Sequence, residues 1–297
     1  MPKLKCYTNN DFKIIDLEPS ELEELQLARS KLYAILKLEE LYDQIIESFL
    51  EFKTQLYSNS LSLINNFRRD YNASHEIRSK LNRQLFNVLN LSKLYLDKHY
   101  HEGKGNFFVK DLTDSLTLHQ EIVSLRKDIY DTNLNYRLGC ELRNLTQHSS
   151  LPIRTYSVGT QRLPNTKDNT IKGRFHLPIA KEDLLKSGVK KSVLANFDDV
   201  IDLHSVMDGY IYAISRMHFK NRELTSKTIN DSKHKLSSRI KKIEELHCSE
   251  NFGIEVYQDN KRLFYLEFDW FEVVEYLQRK HAIAINYNNT EHTTYSD

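Results

Sequence analysis

Between Leu25 and Leu56 the chain carries Leu25, Leu32, Ile35, Leu38, Tyr42, Ile45, Phe49, Phe52 and Leu56, at spacings of three, four or seven. On an α-helix these residues share one face, so the spacing predicts a helix of about forty residues whose apolar stripe other elements must cover. Eight glycines and five prolines in 297 residues leave little to interrupt it. That scarcity, with abundant Leu, Ile, Lys and Glu, argues for a mainly α fold. Pro19, Ser20 and Glu23 have the spacing of a capping box and mark the expected start.

Two further helical stretches supply the cover. One begins at a Ser74 cap, continues through Ile77, Leu81, Leu85 and Val88, and ends in "HEGKGN". The other starts near Ser115, carries Leu118, Ile122, Leu125 and Ile129 on one face, and continues with Leu138, Leu142 and Leu145. The expected architecture is an irregular lead over residues 1–19, then an up-and-down helical bundle over 20–151. After Pro152 the pattern changes, predicting a smaller α+β C-terminal region over 152–285 with short β-hairpins. "IRTYSVGTQR" and "IKGRFHLPI" flank the turn-rich "LPNTKDNT" as a first hairpin; residues 181–247 are helical; "GIEVYQDNKRLFYLEF" is a second hairpin turning at Asp259-Asn260; "WFEVVEYLQRKHA" is a last helix. Residues 286–297 read as a flexible tail.

Forty-two Lys plus Arg stand against 41 Asp plus Glu, a net charge of +1, so the chain as a whole is not a basic nucleic-acid binder and any basic surface is local. The cluster Lys233, Lys235, Arg239, Lys241 and Lys242 reads as a solvated helix face balanced by Glu244 and Glu245. Cys6, Cys140 and Cys248 form no CxxC, which argues against a disulfide framework and a structural zinc site. There is no signal-peptide apolar core and no apolar run of about 18 residues, so the expectation is a cytoplasmic protein with no membrane partner. Phosphate-loop, zincin and serine-hydrolase motifs are absent, and no cofactor is expected.

The strongest chemical lead is "RNLTQH", Arg143 to His148, near the end of the third helical stretch. Spacing alone carries little, because Arg68 and Arg69 stand at the looser version of the same spacing from His75. Context separates them: Arg68 and Arg69 lie in a polar connector, whereas Arg143, with Asn144 beside it, is set among Leu138, Leu142 and Leu145 on a rigid element. Five residues of regular helix are about 500° of rotation, so Arg143 and His148 converge only if the helix loosens near His148 or if two copies meet. The plainer alternative is an Arg143 ion pair, with Glu141 or another helix, and His148 at a helix C-terminus, where the macrodipole favours it. Of the remaining candidates, His99 and His101 are read as solvated rather than metal-bound, Cys140 as a small core residue rather than a nucleophile, and Gly139 as a point of close approach. Tyr136 and Arg137 could line the site, but packing and surface roles are the expected ones.

On "RNLTQH", the order of long helices and the "SSLP" exit, residues 20–150 resemble a HEPN domain, the helical bundle of prokaryotic toxin, phage-defence and CRISPR-associated ribonucleases. The resemblance implies a metal-independent endoribonuclease acting on RNA as a homodimer, with two motifs forming one composite site, in a toxin or defence setting with an antitoxin or sensor as partner. It places Arg143, Asn144 and His148 at the catalytic positions. His148 would act as general base or acid, Arg143 would hold the phosphate, and Asn144 would orient or donate. Ser150 stands where members silenced by a nucleotidyltransferase carry tyrosine, so that form of control is not implied. The alternative is a HEPN-like bundle that binds RNA or docks a protein without catalysis.

Overall fold

The computed structural model describes residues 1–7, 12–65, 70–101, 103, 105–148, 150–162, 171–247 and 253–289. Arg68, Arg69, Ser149, Cys248, the turn at 163–170 and the tail from 290 lie outside the described residues. The fold is mainly α, 70% helical. In chain order the elements are β1 (Lys3–Tyr7), β2 (Phe12–Asp16), α1 (Pro19–Asn65), α2 (Tyr71–Tyr100), α3 (Phe108–Thr113), α4 (Leu116–Thr132), α5 (Leu134–His148), β3 (Ser157–Arg162) and β4 (Ile171–His176). They continue with β5 (Pro178–Ala180), α6 (Lys181–Lys186), α7 (Lys191–Leu194), β6 (Val200–Asp202), α8 (Leu203–His247), β7 (Ile254–Gln258), β8 (Lys261–Tyr265) and α9 (Phe271–Lys280).

All nine stripe residues of α1 are buried, none more than 5% exposed. The helix starts slightly earlier than the Ser20 signal: Pro19 takes the first position, where its missing N–H is no loss, and the Glu21 carboxylate reaches back to the Glu18 N–H at 3.3 Å. Helix α2 likewise begins before Ser74, because the Asp70 carboxylate caps it by accepting from the Ala73 N–H at 2.7 Å. The Ser74 hydroxyl instead accepts from the Tyr156 phenol at 3.2 Å. The third stretch is two helices. Asn133 interrupts it, its side chain accepting from the Tyr136 N–H at 2.9 Å and so capping α5.

The lead is not irregular. Leu4 and Cys6 alternate with Lys3, Lys5 and Tyr7, and the buried pair forms the inner edge of β1. β1 pairs antiparallel with β2 and with β7, giving a four-stranded sheet in the order β2-β1-β7-β8. The β7–β8 turn falls at Asp259 and Asn260, both with positive φ (51° and 59°), as a two-residue hairpin turn requires. The first hairpin forms as β3 and β4. Helix α8, 45 residues long, was legible only as helical character.

The chain forms two compact units, and neither coincides with the expected division at residue 151, since each draws on both sides of it. The first comprises residues 1–41, 109–115 and 222–282. Its sheet buries Leu4, Cys6, Ile254 and Val256, and α9 contributes Phe271, Val274 and Leu277. Trp270 stacks on Tyr33 with ring centres 4.0 Å apart. Glu39, fully buried, is held by Arg222 through two bonds of 2.8 and 2.6 Å. Four of the five cations of the basic cluster on α8 are paired: Lys233 with Glu275, Lys235 with Glu24, Arg239 with Glu21 and Lys241 with Glu245.

The second unit comprises residues 42–108, 116–221 and 283–297. Tyr42, Phe49 and Phe52 of α1, Leu81, Leu85 and Val88 of α2, Leu138, Leu142 and Leu145 of α5, and Tyr210, Ile211 and Ile214 of α8 fill its core. Two glycines let α5 and α8 approach closely. A Cβ on Gly139 would lie 2.3 Å from the Tyr210 ring, and one on Gly209 would lie 2.5 Å from the Asn135 amide. Beside this core, Lys53 (4% exposed) donates to both oxygens of Asp208 (2% exposed) at 2.9 and 3.0 Å and to His204 Nε2 at 2.6 Å.

Candidate functional site

Helix α5 sets out the motif. Tyr136, Cys140, Arg143 and Asn144 recur at helical spacing and line one cavity of about 510 Å³ in the second unit. Lys93, Leu96, Asp97 and Tyr100 of α2, His101 just beyond it, Arg126 and Tyr130 of α4, and Tyr210 of α8 complete its wall. The volume lies within the usual range for small-ligand sites, roughly 300–1,000 Å³.

The cavity is cationic. Lys93 is neutralised by Asp97 at 2.6 Å, one helical turn away. Among the described residues no carboxylate lies within ion-pair distance of Arg126 or Arg143, and the Nε of each is shielded from solvent without a hydrogen-bond partner. The Arg126 guanidinium instead lies 4.4 Å from the centre of the Tyr100 ring, a cation–π contact that fixes its position. Arg143 donates to the Asn144 side-chain oxygen at 3.1 Å. Its ion pair with Glu141 does not form, because Glu141 pairs with Lys190 at 3.3 Å.

Burial holds Tyr100, Tyr136 and Tyr210 protonated, their pKa values raised chiefly by desolvation. The same cause pushes the Cys140 thiol up to about 11, so it packs rather than attacks. Two fixed guanidiniums and neutral phenols therefore surround a space suited to an anionic ligand carrying an aromatic ring. Tyr130, 44% exposed and edge-on to Tyr136, is the ring most open to such a partner.

His148 is not among the cavity's lining residues; it is the exposed last residue of α5. The helix stays regular to that residue, so loosening does not bring it to Arg143, and the two remain about 140° apart around the axis. Asn144, one turn before His148, lies on the same side as His148 and bonds to Arg143. The chain beyond is anchored by Asn82 of α2, whose amide donates to the Ile153 carbonyl at 2.8 Å and accepts from its N–H at 3.0 Å.

His99 is buried, not solvated as expected, and its Nδ1–H donates to the Tyr95 carbonyl at 2.7 Å. No group of three or more metal-ligating side chains occurs among the described residues. Lys93, Arg126, Tyr130 and Tyr210 escaped the sequence reading. Arg126 and Tyr130 do sit at i and i+4, the one local signal available. No helix among the described residues is long and apolar enough to cross a membrane. Compared with family models, curated proteins and solved structures, the chain matches none.

Proposed function

We propose that this chain is a metal-independent endoribonuclease. The supporting observation is the placement of Arg143 and Asn144 on the wall of a tyrosine-lined cavity whose guanidiniums have no carboxylate partner among the described residues. A phosphodiester supplies the missing negative charge and its base an aromatic face. In the proposed reaction a ribose 2′-oxygen loses its proton and attacks the adjacent phosphorus, and the bond to the 5′-oxygen breaks. That oxygen takes up a proton, leaving a 2′,3′-cyclic phosphate and a 5′-hydroxyl.

Within one copy His148 points away from Arg143, so the reading requires a homodimer in which His148 of one copy serves the phosphate held by Arg143 of the other. A toxin or defence role, with an antitoxin or sensor as partner, belongs to the same proposal and rests on the HEPN resemblance. The test is incubation of purified protein with total RNA, with and without EDTA, and mapping of product ends. H148A and R143A should each abolish cleavage, while a mixed R143A/H148A dimer, which retains one intact Arg–His pair across the interface, should recover part of it. EDTA-sensitive cleavage, or H148A cutting at the parental rate, would refute the proposal. A second reading, RNA binding without cleavage, is favoured by the absence of His148 from the cavity lining; retained RNA affinity with no cleavage in the parent would establish it.

A further inference from the structure

One face of α4 extends the Arg143 cavity. Val123, Arg126, Lys127 and Tyr130 recur at i, i+3, i+4 and i+7, and with Tyr136 of α5 they line a second cavity of about 300 Å³. Arg126, Tyr130 and Tyr136 belong to both walls, so the second cavity adjoins the first within the same unit.

The cations are ordered along the pair of cavities. Arg143 lines the first alone, Arg126 lines both, and Lys127 lines the second alone. Among the described residues the two walls hold one carboxylate, Asp97 in the first, and Lys93 already pairs with it at 2.6 Å. Lys127 is exposed, and no described carboxylate lies within ion-pair distance of it: Asp131, one turn on, is outside both walls, and Asp128 beside it faces Arg216 at 3.9 Å. A ligand whose single phosphate meets Arg143 therefore leaves Lys127 and the second cavity unused. A ligand that meets all three cations carries at least two anionic groups set apart along its length, and Tyr130, 44% exposed and common to both walls, offers a ring to whatever joins them. Successive phosphates linked through a nucleoside have that alternation of charge and aromatic face.

We propose that Arg126, Lys127 and Tyr130 form a second nucleotide subsite beside the Arg143 cavity, so that the site grips two consecutive phosphates of one RNA strand. This rests on the reading of the Arg143 cavity as a phosphodiester site and adds the length of strand that the site recognises. Lys127 holds the second phosphate, Arg126 bridges the two subsites, and Tyr130 stacks on the base of the nucleoside between them.

The test is calorimetric titration of the full chain with 2′-O-methyl diuridylate, which has one phosphate, and 2′-O-methyl triuridylate, which has two. Neither has the 2′-hydroxyl that cleavage needs, so the outcome is independent of catalysis. The parent should bind the triuridylate about tenfold or more tightly than the diuridylate, since the longer strand gains one phosphate contact and one stacked base. Its affinity should also fall more steeply with salt, by about 0.7 in the slope of log K against log salt. Lys127→Ala, an exposed change that does not disturb the core, should bring the preference down to about twofold, the statistical advantage of two phosphates over one, and remove the extra slope. Arg143→Ala should weaken both ligands. A parental preference of twofold or less, a K127A variant that keeps the parental preference and slope, no binding of either strand, or parental affinity in R143A would each overturn the proposal. So would tighter binding of uridine 5′-diphosphate than of triuridylate, which would assign the two cavities to a free nucleotide. A parent that shows the expected preference but cuts no RNA would sink the nuclease reading alone, and one that cuts RNA without the preference would sink the second subsite alone.

Discussion

Substituting Gly139 by alanine separates two opposed expectations. Helix propensity alone predicts a gain, since Ala exceeds Gly by about 0.8–1 kcal/mol in a helix interior. The packing predicts a loss. The new Cβ would lie 2.3, 2.5 and 2.9 Å from three atoms of the Tyr210 ring, against an ordinary carbon–carbon contact of about 3.5–4.0 Å. Tyr210 is 1% exposed and stacks on Tyr136 with ring centres 5.7 Å apart, so a shift of the ring disturbs that stack. Overpacking of this kind costs about 1–3 kcal/mol, and the severity of the overlap places it near 3. Subtracting the propensity gain leaves G139A destabilised by about 2 kcal/mol, a fall in Tm of roughly 4–8 °C for a chain of this size. Thermal and urea unfolding measure it. G139A/Y210L, which removes the ring edge that Cβ meets, should lie closer to Y210L than G139A lies to the parent, a favourable coupling visible in a double-mutant cycle. Unchanged or raised stability in G139A would refute the close approach. Tyr136 and Tyr210 both line the cavity, so G139A should also weaken the RNA binding proposed for it.

Three further outcomes follow from buried polar groups. Lys53→Met strands the Asp208 carboxylate in the interior and should cost about 3–5 kcal/mol by urea unfolding, while Lys53→Met with Asp208→Leu should recover most of it. Burial pushes the pKa of His99 down to about 3. Because the unfolded value is near 6.5, the unfolded chain takes up the proton first; stability from this group is complete above about pH 6.5 and is lost progressively as pH falls towards 3, reaching about 2 kcal/mol at pH 5. Urea midpoints at pH 7.5 and 5 should therefore differ less in His99→Phe than in the parent, and an equal difference would contradict the assignment. Asn82→Ala leaves the buried N–H and carbonyl of Ile153 unpaired and should cost about 3 kcal/mol in the same assay.

What could be read in advance depended on how local the determining interactions are. The α1 stripe was legible because a helical period declares a buried face whatever covers it, and the Asp259-Asn260 turn because those residue types tolerate positive φ. β1 was not, although Lys-Leu-Lys-Cys-Tyr alternates, because so short a strand is declared by its neighbours, and one of them, β7, lies far along the chain. The caps of α1 and α2 were misplaced by two to four residues where a carboxylate nearby competed successfully with a serine. In the site, the 500° rotation correctly separated Arg143 from His148, and Gly139 correctly marked a close approach. Neither Tyr210 as the neighbour nor Arg126 as a second guanidinium had any local signature, since α4, α5 and α8 bring them together.

The pairing of Asn82 with Ile153 has a consequence for how freely this chain can change. A side-chain amide that satisfies both backbone groups of one residue reads the path of the chain and ignores its letter, so any apolar residue of suitable size except proline keeps the clamp. The end of α5 is thereby tied down before β3 begins. The helix that carries Arg143, Asn144 and His148 is therefore followed, within five residues, by a point that α2 holds through the backbone alone.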